Sequence, residues 1–220
     1  MNFKLSTAAL ALLSGSFAVS AQNNWYVGLD AHSSKLDLDS EVSSFPTRSS
    51  GTKSADDSGA GLSIMLGRKV NEWLAIEANL SHDYIDLLDY SNYYDIGLGT
   101  QGYEYQLHDA RIYSLDLGAK MSYATGFDLN LYAKPGIGYT RTELELNGGS
   151  SHPDIKVDKD VTNNKVHFNL ELGAEYFFTD SFSANLAYER KFNAVDFSIE
   201  GYKFGDMDQD RIKGGVRYYF

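Results

Sequence analysis

Eight stretches of the chain alternate apolar and polar residues with a period of two. They run over 25–38, 58–69, 73–84, 109–122, 128–140, 165–178, 182–192 and 210–220. In the third, Leu74, Ile76, Ala78 and Leu80 share a face; in the sixth, Val166, Phe168, Leu170, Leu172, Ala174 and Tyr176 do. Strict alternation is the signature of a strand with two unlike faces, and no segment sustains a 3.6-residue period. The opposite face carries Glu77, Asn79, Asp116, Lys120, Asn130, Lys134, His167, Asn169, Glu171, Glu175, Asn185, Glu189, Lys213 and Arg217. In a soluble sandwich that face meets water. In a transmembrane barrel it fills the lumen while the apolar face meets lipid.

The connections separate these two cases. The intervals after the first, third, fifth and seventh stretches hold 19, 24, 24 and 17 residues, and those after the second, fourth and sixth hold 3, 5 and 3. Long loops on one side and short turns on the other are the pattern of outer-membrane barrels. Soluble domains rarely carry four structureless connections of that length. Trp25, Trp73, Phe127, Phe178, Phe182 and Phe220 fall near the short-turn end, and Tyr84, Tyr139 and Tyr188 toward the other. Two aromatic girdles at the two interfaces give this distribution.

Charge sharpens the picture. The four long connections hold 17 acidic and 6 basic residues, a balance of −11 and nearly all of the −12 carried by residues 22–220. The central lipid-facing positions carry no charge, as they must, since one Lys or Arg at the bilayer midplane costs about 2–4 kcal/mol. Overall acidity argues against nucleic acid as a partner. The chain has no Cys, which removes disulfides, thiolate metal sites and cysteine nucleophiles. Residues 1–21 read as a secretory signal peptide. Lys4 is followed by the apolar run Leu5–Leu13, and Val19-Ser20-Ala21 forms a small-residue cleavage site. Residues 22–220 are then one exported domain, expected in the outer membrane of a bacterial envelope.

An internal repeat sets the register. Leu115-Asp-Leu-Gly-Ala-Lys120, Leu170-Glu-Leu-Gly-Ala-Glu175 and Ile212-Lys-Gly-Gly-Val-Arg217 align. The alignment predicts two interior layers of charge, one of Asp116, Glu171 and Lys213, the other of Lys120, Glu175 and Arg217. Pro135 interrupts the fifth strand, and a bulge is expected at Lys134-Pro135-Gly136 because proline gives no N–H to the ladder.

Scattered segments in shared order carry a resemblance: Trp25-Tyr26-Val27-Gly28, Gly59-Ala60-Gly61, Ala75-Ile76-Glu77, Gly118-Ala119-Lys120, Gly173-Ala174-Glu175-Tyr176 and Leu186-Ala187-Tyr188. With them the chain resembles the transmembrane domains of the outer membrane protein A family. The resemblance implies an eight-stranded antiparallel barrel with both termini in the periplasm. It also implies an interior salt-bridge gate at Glu77, Lys120 and Glu175. The fourth member of that gate, an arginine, aligns with Asn185, and Lys134, Lys213 or Arg217 would supply its charge instead. The ending Tyr218-Tyr219-Phe220 resembles the C-terminal signal read by barrel-assembly machinery. The chain ends with the eighth stretch, so the family's peptidoglycan-binding domain is expected to be lacking.

Other chemistry is thin. A hydrolase needs a nucleophile, a base and an orienting acid in reach of each other. In Ser81-His82-Asp83, neighbouring residues of a strand point to opposite faces. His108 and His152 read as polar residues in or beside loops. Asp206, Asp208 and Asp210 alternate like a calcium loop, but Arg211 stands where that signature continues with glycine. No catalytic residue, cofactor or metal site is expected. Tyr90, Tyr93, Tyr94, Tyr103 and Tyr105 crowd the second long connection and are candidate recognition residues.

The expectation is an all-β, closed, eight-stranded up-and-down transmembrane barrel. Its interior, just wide enough for side chains, holds Glu77, Asp116, Lys120, Lys134, Glu171, Glu175, Glu189, Lys213 and Arg217. A surface-display role leads, ahead of a narrow gated channel and of a lipid A-modifying enzyme. The expected partners are outer-membrane lipid and lipopolysaccharide, the assembly machinery, and an external protein, glycan or phage.

Overall fold

A computed structural model describes residues 24–37, 52–55, 58–95, 101–150, 156–199 and 202–220, with side chains over 24–37, 58–85, 109–145, 161–195 and 207–220. These form β1 (Trp25–Leu36), β2 (Thr52–Ala55), β3 (Ser58–Lys69), β4 (Leu74–Asp95), β5 (Gln101–Ala124), β6 (Leu129–Ser150), β7 (Lys156–Phe177), β8 (Phe182–Ile199) and β9 (Tyr202–Tyr219). All pairings are antiparallel. The sheet runs β4-β3-β1-β9-β8-β7-β6-β5, and β5 pairs back with β4. Eight long strands therefore close into a barrel without an edge inside the membrane. The ninth, β2, is a short addition beside β4, with Thr52 opposite Ser91 and Ala55 opposite Leu88.

The alternation in the sequence becomes an inside and an outside. Along β1, outward Trp25, Leu29 and Ala31 alternate with buried Tyr26, Gly28, Asp30, His32, Ser34 and Leu36. Leu62, Ile64, Leu66, Leu115, Leu117, Leu131, Ile137, Phe168, Leu172, Leu186 and Val216 are all exposed to the surroundings. That is the reverse of a soluble protein and the pattern required against lipid. Trp25, Trp73, Phe127, Phe178 and Phe182 ring the short-turn end, and Tyr84, Tyr139 and Tyr188 are exposed toward the other.

The described parts of the intervals 85–108, 141–164 and 193–209 are strand. β4 and β5 stay paired to Asp95 opposite Gln101, and β6 and β7 to Gly149 opposite Lys156. The ladders simply continue past the apolar belt, because polar strands still satisfy their backbone by pairing. Each short turn is closed by local hydrogen bonds. The Asn71 side chain accepts from the Trp73 and Leu74 amides, and Thr179 Oγ1 accepts from the Phe182 amide. At the termini, the Phe220 amide donates to the Trp25 carbonyl at 2.8 Å.

The bulge expected at Pro135 is not there. Gly118 pairs with Gly136 and Met121 with Ala133, so three steps on β5 match three on β6. The ladder skips two rungs and keeps its register, and Pro135 retains its place opposite Leu170 on β7. A gap costs one backbone bond, whereas a bulge would turn every later side chain to the wrong face. Register shifts sit elsewhere, between Asp86 and Leu88 on β4, between Asp196 and Ser198 on β8 and, within the lumen, between Lys191 and Val195 on β8. There Asn193 adopts φ 52°, a conformation asparagine tolerates, and its amide donates to Asp208 Oδ1 at 2.8 Å. The bulge turns two successive residues, Ala194 and Val195, inward.

Candidate functional site

The lumen is filled in three tiers. At the short-turn end lie Tyr26, Met65, Ala75 and Tyr219, with Phe177 packed against them. Their rings meet at centroid distances of 4.7 Å (Tyr26–Tyr219) and 5.4 Å (Phe177–Tyr219). Lys69 Nζ sits 4.4 Å from the Tyr219 ring centre. At the long-hairpin end Leu36, Ile85, Ala110, Ile112, Leu144, Ala194, Val195 and Met207 form an apolar cap, with Val161 against it. The charged tier lies between.

All nine residues expected in the interior network are buried. Eight of them join a chain of alternating charge. Arg217 Nη1 lies 3.1 Å from Glu175. Lys120 Nζ donates to Glu175 at 2.5 Å and lies 3.8 Å from Glu77. Lys134 bridges Glu77 and Glu171, each at 2.9 Å. Lys213 bridges Glu171 at 2.8 Å and Glu189 at 3.7 Å. Arg211 continues to Glu189 at 3.4 Å and then to Asp83, which His32 Nε2 meets at 2.8 Å. An isolated ion could not stay charged here, but each ion in this chain has an opposite neighbour.

The two-layer arrangement holds for Lys120, Glu175 and Arg217, and for Glu171 with Lys213. It fails for Asp116, which binds Lys191 Nζ at 2.7 Å, His167 Nε2 at 2.9 Å and Asn169 Nδ2 at 3.1 Å. The cause is the stagger of tilted strands. The ladder carries Asp116 through Gly138 to His167, four residues short of Glu171. His167 Nδ1 then meets Thr140 at 3.1 Å, and Thr140 meets Ser114 at 3.1 Å.

Alternation had the signal for several residues it did not single out. Tyr26, Tyr132 and Tyr219 each stand between two outward residues, so each points inward. Their hydroxyls donate to Glu77 at 2.6 Å, Glu171 at 2.8 Å and Glu175 at 2.5 Å. Asp30, His32, Asp83, Lys191 and Arg211 follow the same parity, with Asp30 opposite Gly215 and His32 opposite Lys213. Of the gate positions implied by resemblance, Glu77, Lys120 and Glu175 are in contact. Asn185 is buried with both amide atoms unpartnered, and Lys134 and Arg217 stand beside the carboxylates instead.

Ser81 and Asp83 are buried in the lumen, whereas His82 is exposed and stacks on Tyr113 at 4.7 Å between ring centres. Ser81 accepts from Arg211 and is not poised as a nucleophile. Asp208 and Asp210 gather around Arg190, at 2.8 Å and 3.5 Å. Among the described residues no group of three or more His, Asp or Glu is placed to hold a metal. Tyr218 is exposed on the outer wall, 6.1 Å from Phe220 between ring centres. Tyr90, Tyr94, Tyr93, Tyr103 and Tyr105 fall on the upper rungs of β4 and β5, with Tyr93 opposite Tyr103; their side chains and those of His108 and Asp206 lie outside the described side chains, and His152 lies outside the described residues.

Solved structures with the same fold include Neisserial surface protein A (15% identity, 92% of this chain and 100% of that one covered, TM-score 0.56). The attachment invasion locus protein Ail of Yersinia pestis is another (12%, 90% and 100%, TM-score 0.50). OprG of Pseudomonas aeruginosa is a third (12%, 90% and 96%, TM-score 0.50). No curated protein matches the chain in sequence. The family described as outer membrane protein beta-barrel domain matches residues 5–220. The closed eight-stranded sheet, the lipid-facing apolar wall and this match agree: the chain belongs to the outer membrane protein beta-barrel family and resides in the outer membrane.

Proposed function

We propose that this barrel is a closed membrane anchor whose work is done by its extracellular hairpins, displayed for recognition of an external protein or glycan. The observation that carries this reading is the double seal of the lumen. Ions crossing it would meet the aromatic tier, then a chain of ion pairs, then a cap whose Leu36, Ile85, Ala110, Ile112, Ala194 and Val195 are 0% exposed. Apolar constrictions block ions by dewetting. The surfaces left for partners are the continued β4–β5 and β6–β7 ladders, with the tyrosines of 90–105 on the first. Tyrosine provides large contact area at small entropic cost, and acidic surroundings favour a basic partner surface. A barrel of this fold bears the name attachment invasion locus protein in Yersinia pestis. That is a precedent for the scaffold and identifies no ligand here.

The narrow channel is the rival reading, supported by the shared partners of Glu77, whose carboxylate lies 2.9 Å from Lys134 and 3.8 Å from Lys120. Single-channel recording of the refolded barrel in a planar bilayer, beside Glu77→Ala, decides between them. Silence from the wild type, with folding verified by a heat-shifted gel band, is the expected result. Discrete openings altered by Glu77→Ala would replace the anchor reading with a gated pore. Grafting residues 86–108 onto an inert barrel then tests whether binding to host-cell surfaces travels with the hairpin.

A further inference from the structure

Above the apolar belt the strands do not stay in one wall. β4, β5, β6 and β7 keep their ladders to the upper rungs, with Tyr105 opposite Gly149 and Gly149 opposite Lys156. β7 and β8 separate earlier. Their last pair is Phe168 with Phe192, although β7 begins at Lys156 and β8 runs on to Ile199. On the other side, the β1–β9 ladder ends at Leu36 opposite Gln209, and one further bond joins the Asp37 amide to the Asp208 carbonyl at 3.0 Å. Among the described residues, the hairpin above this level has ladder partners only within itself, from Val195 opposite Met207 to Ile199 opposite Tyr202.

This hairpin carries part of the cap. Ala194 and Val195 are 0% exposed and Met207 is 3% exposed. They cluster with Leu36, Ile85, Ala110, Ile112 and Leu144, which stand on the other strands. Three apolar side chains, one of them an alanine, are a small buried surface to hold an element with no lateral ladder. A joint lies at its base. Asn193 adopts φ 52° there, and the register shifts between Lys191 and Val195. Asp208 spans the joint: Oδ1 accepts from the Asn193 amide and Oδ2 from Arg190 Nη2, each at 2.8 Å. Arg190 also lies 3.6 Å from Asp37 at the end of β1. One latch on the outer wall therefore ties β8, β9 and β1 at a single level.

We propose that the upper β8–β9 hairpin is a hinged lid on the extracellular mouth, turning about Asn193 and Asp208 and held shut by the Asp208–Arg190 latch. Hinges are a few residues that absorb a backbone change. Asparagine suits the task because it is at home on both sides of φ = 0. Opening lifts Ala194, Val195 and Met207 and bares the apolar cup formed by the remaining cap residues. The charged and aromatic tiers lie beneath and stay shut, so lid motion and ion conduction are separate events.

The chain has no cysteine, so one introduced thiol reports one position. The test refolds the barrel in detergent micelles and exposes it to a charged, water-soluble methanethiosulfonate. Val195→Cys probes the lid, Ile112→Cys the fixed part of the cap, and Ala187→Cys a buried site below it. Val195→Cys and Ile112→Cys are expected to react together, and Ala187→Cys far more slowly. Adding Asp208→Ala should speed the first two by about tenfold, the order expected for one lost hydrogen bond to a charged group, and leave Ala187→Cys unchanged. Reaction at Val195→Cys with Ile112→Cys as slow as Ala187→Cys overturns the lid: the hairpin then frays while the cap stays closed. Equal rates with and without Asp208→Ala overturn the latch-held hinge. Should Asp208→Ala fail to give a heat-shifted gel band, Arg190→Gln breaks the same latch and is read in the same way.

Discussion

The middle of the lumen and its extracellular cap are built by the same strands, a few residues apart, with opposite chemistry. On β4, Glu77 and Asp83 belong to the charged tier and Ile85, one inward step later, belongs to the cap. On β5, Ala110 and Ile112 line the cap, and Asp116 and Lys120 the charged tier. The middle excludes solvent by pairing each ion, so its stability depends on every partner being present. The cap excludes solvent by packing, so its loss is graded with volume. A barrel that only needed a filled interior could have used either. The combination gives a register-specific centre under a water-repelling lid.

This comparison can be broken most forcefully at Glu175. Its carboxylate accepts from Lys120, Ser183 and Tyr219 and sits beside Arg217. Glu175→Ala leaves two buried cations short of an acceptor and is expected to cost about 3–5 kcal/mol, measured by urea unfolding in micelles. In the cap, Ile112→Ala is expected to cost about 2–5 kcal/mol through a residual cavity, and Ile112→Val clearly less in the same assay. A loss from Ile112→Ala as abrupt as that from Glu175→Ala would end the distinction between the tiers. On the outer wall, Leu172→Arg places a charge in the apolar belt and is expected to cost about 2–4 kcal/mol. The smallest effect belongs to the half-exposed pair Arg111–Glu145, 2.9 Å apart. Glu145→Gln should change stability by about 0–1 kcal/mol, and by less as salt is raised.

Proline and the bulge show where local reading reaches its end. Pro135 is visible in the sequence as a missing donor, but whether the ladder absorbs it by a gap or a bulge depends on what both neighbouring strands require. Here the inward side chains Lys134 and Gly136 must keep their face, and a gap keeps it. The bulge at Asn193 has no comparable marker in the sequence. It is held by Asp208 from the adjacent strand, and it gives the cap two successive inward residues.

Alternation by itself determined the strand class, the lipid-facing wall, the girdles and the inward parity of all nine expected network residues. The reason is geometric: a period of two assigns faces without knowledge of any neighbour. Parity names who points inward and leaves open who meets whom. That choice was made by the stagger of the closed sheet, which took Asp116 to His167 and Lys191 rather than to Glu171. The same stagger threaded Arg211 and Asp83 into the charge chain. Depth was also decided only in three dimensions. The residues of the cap look like the ends of strands in the sequence, and they become a lid because seven strands bring them together inside one narrow lumen.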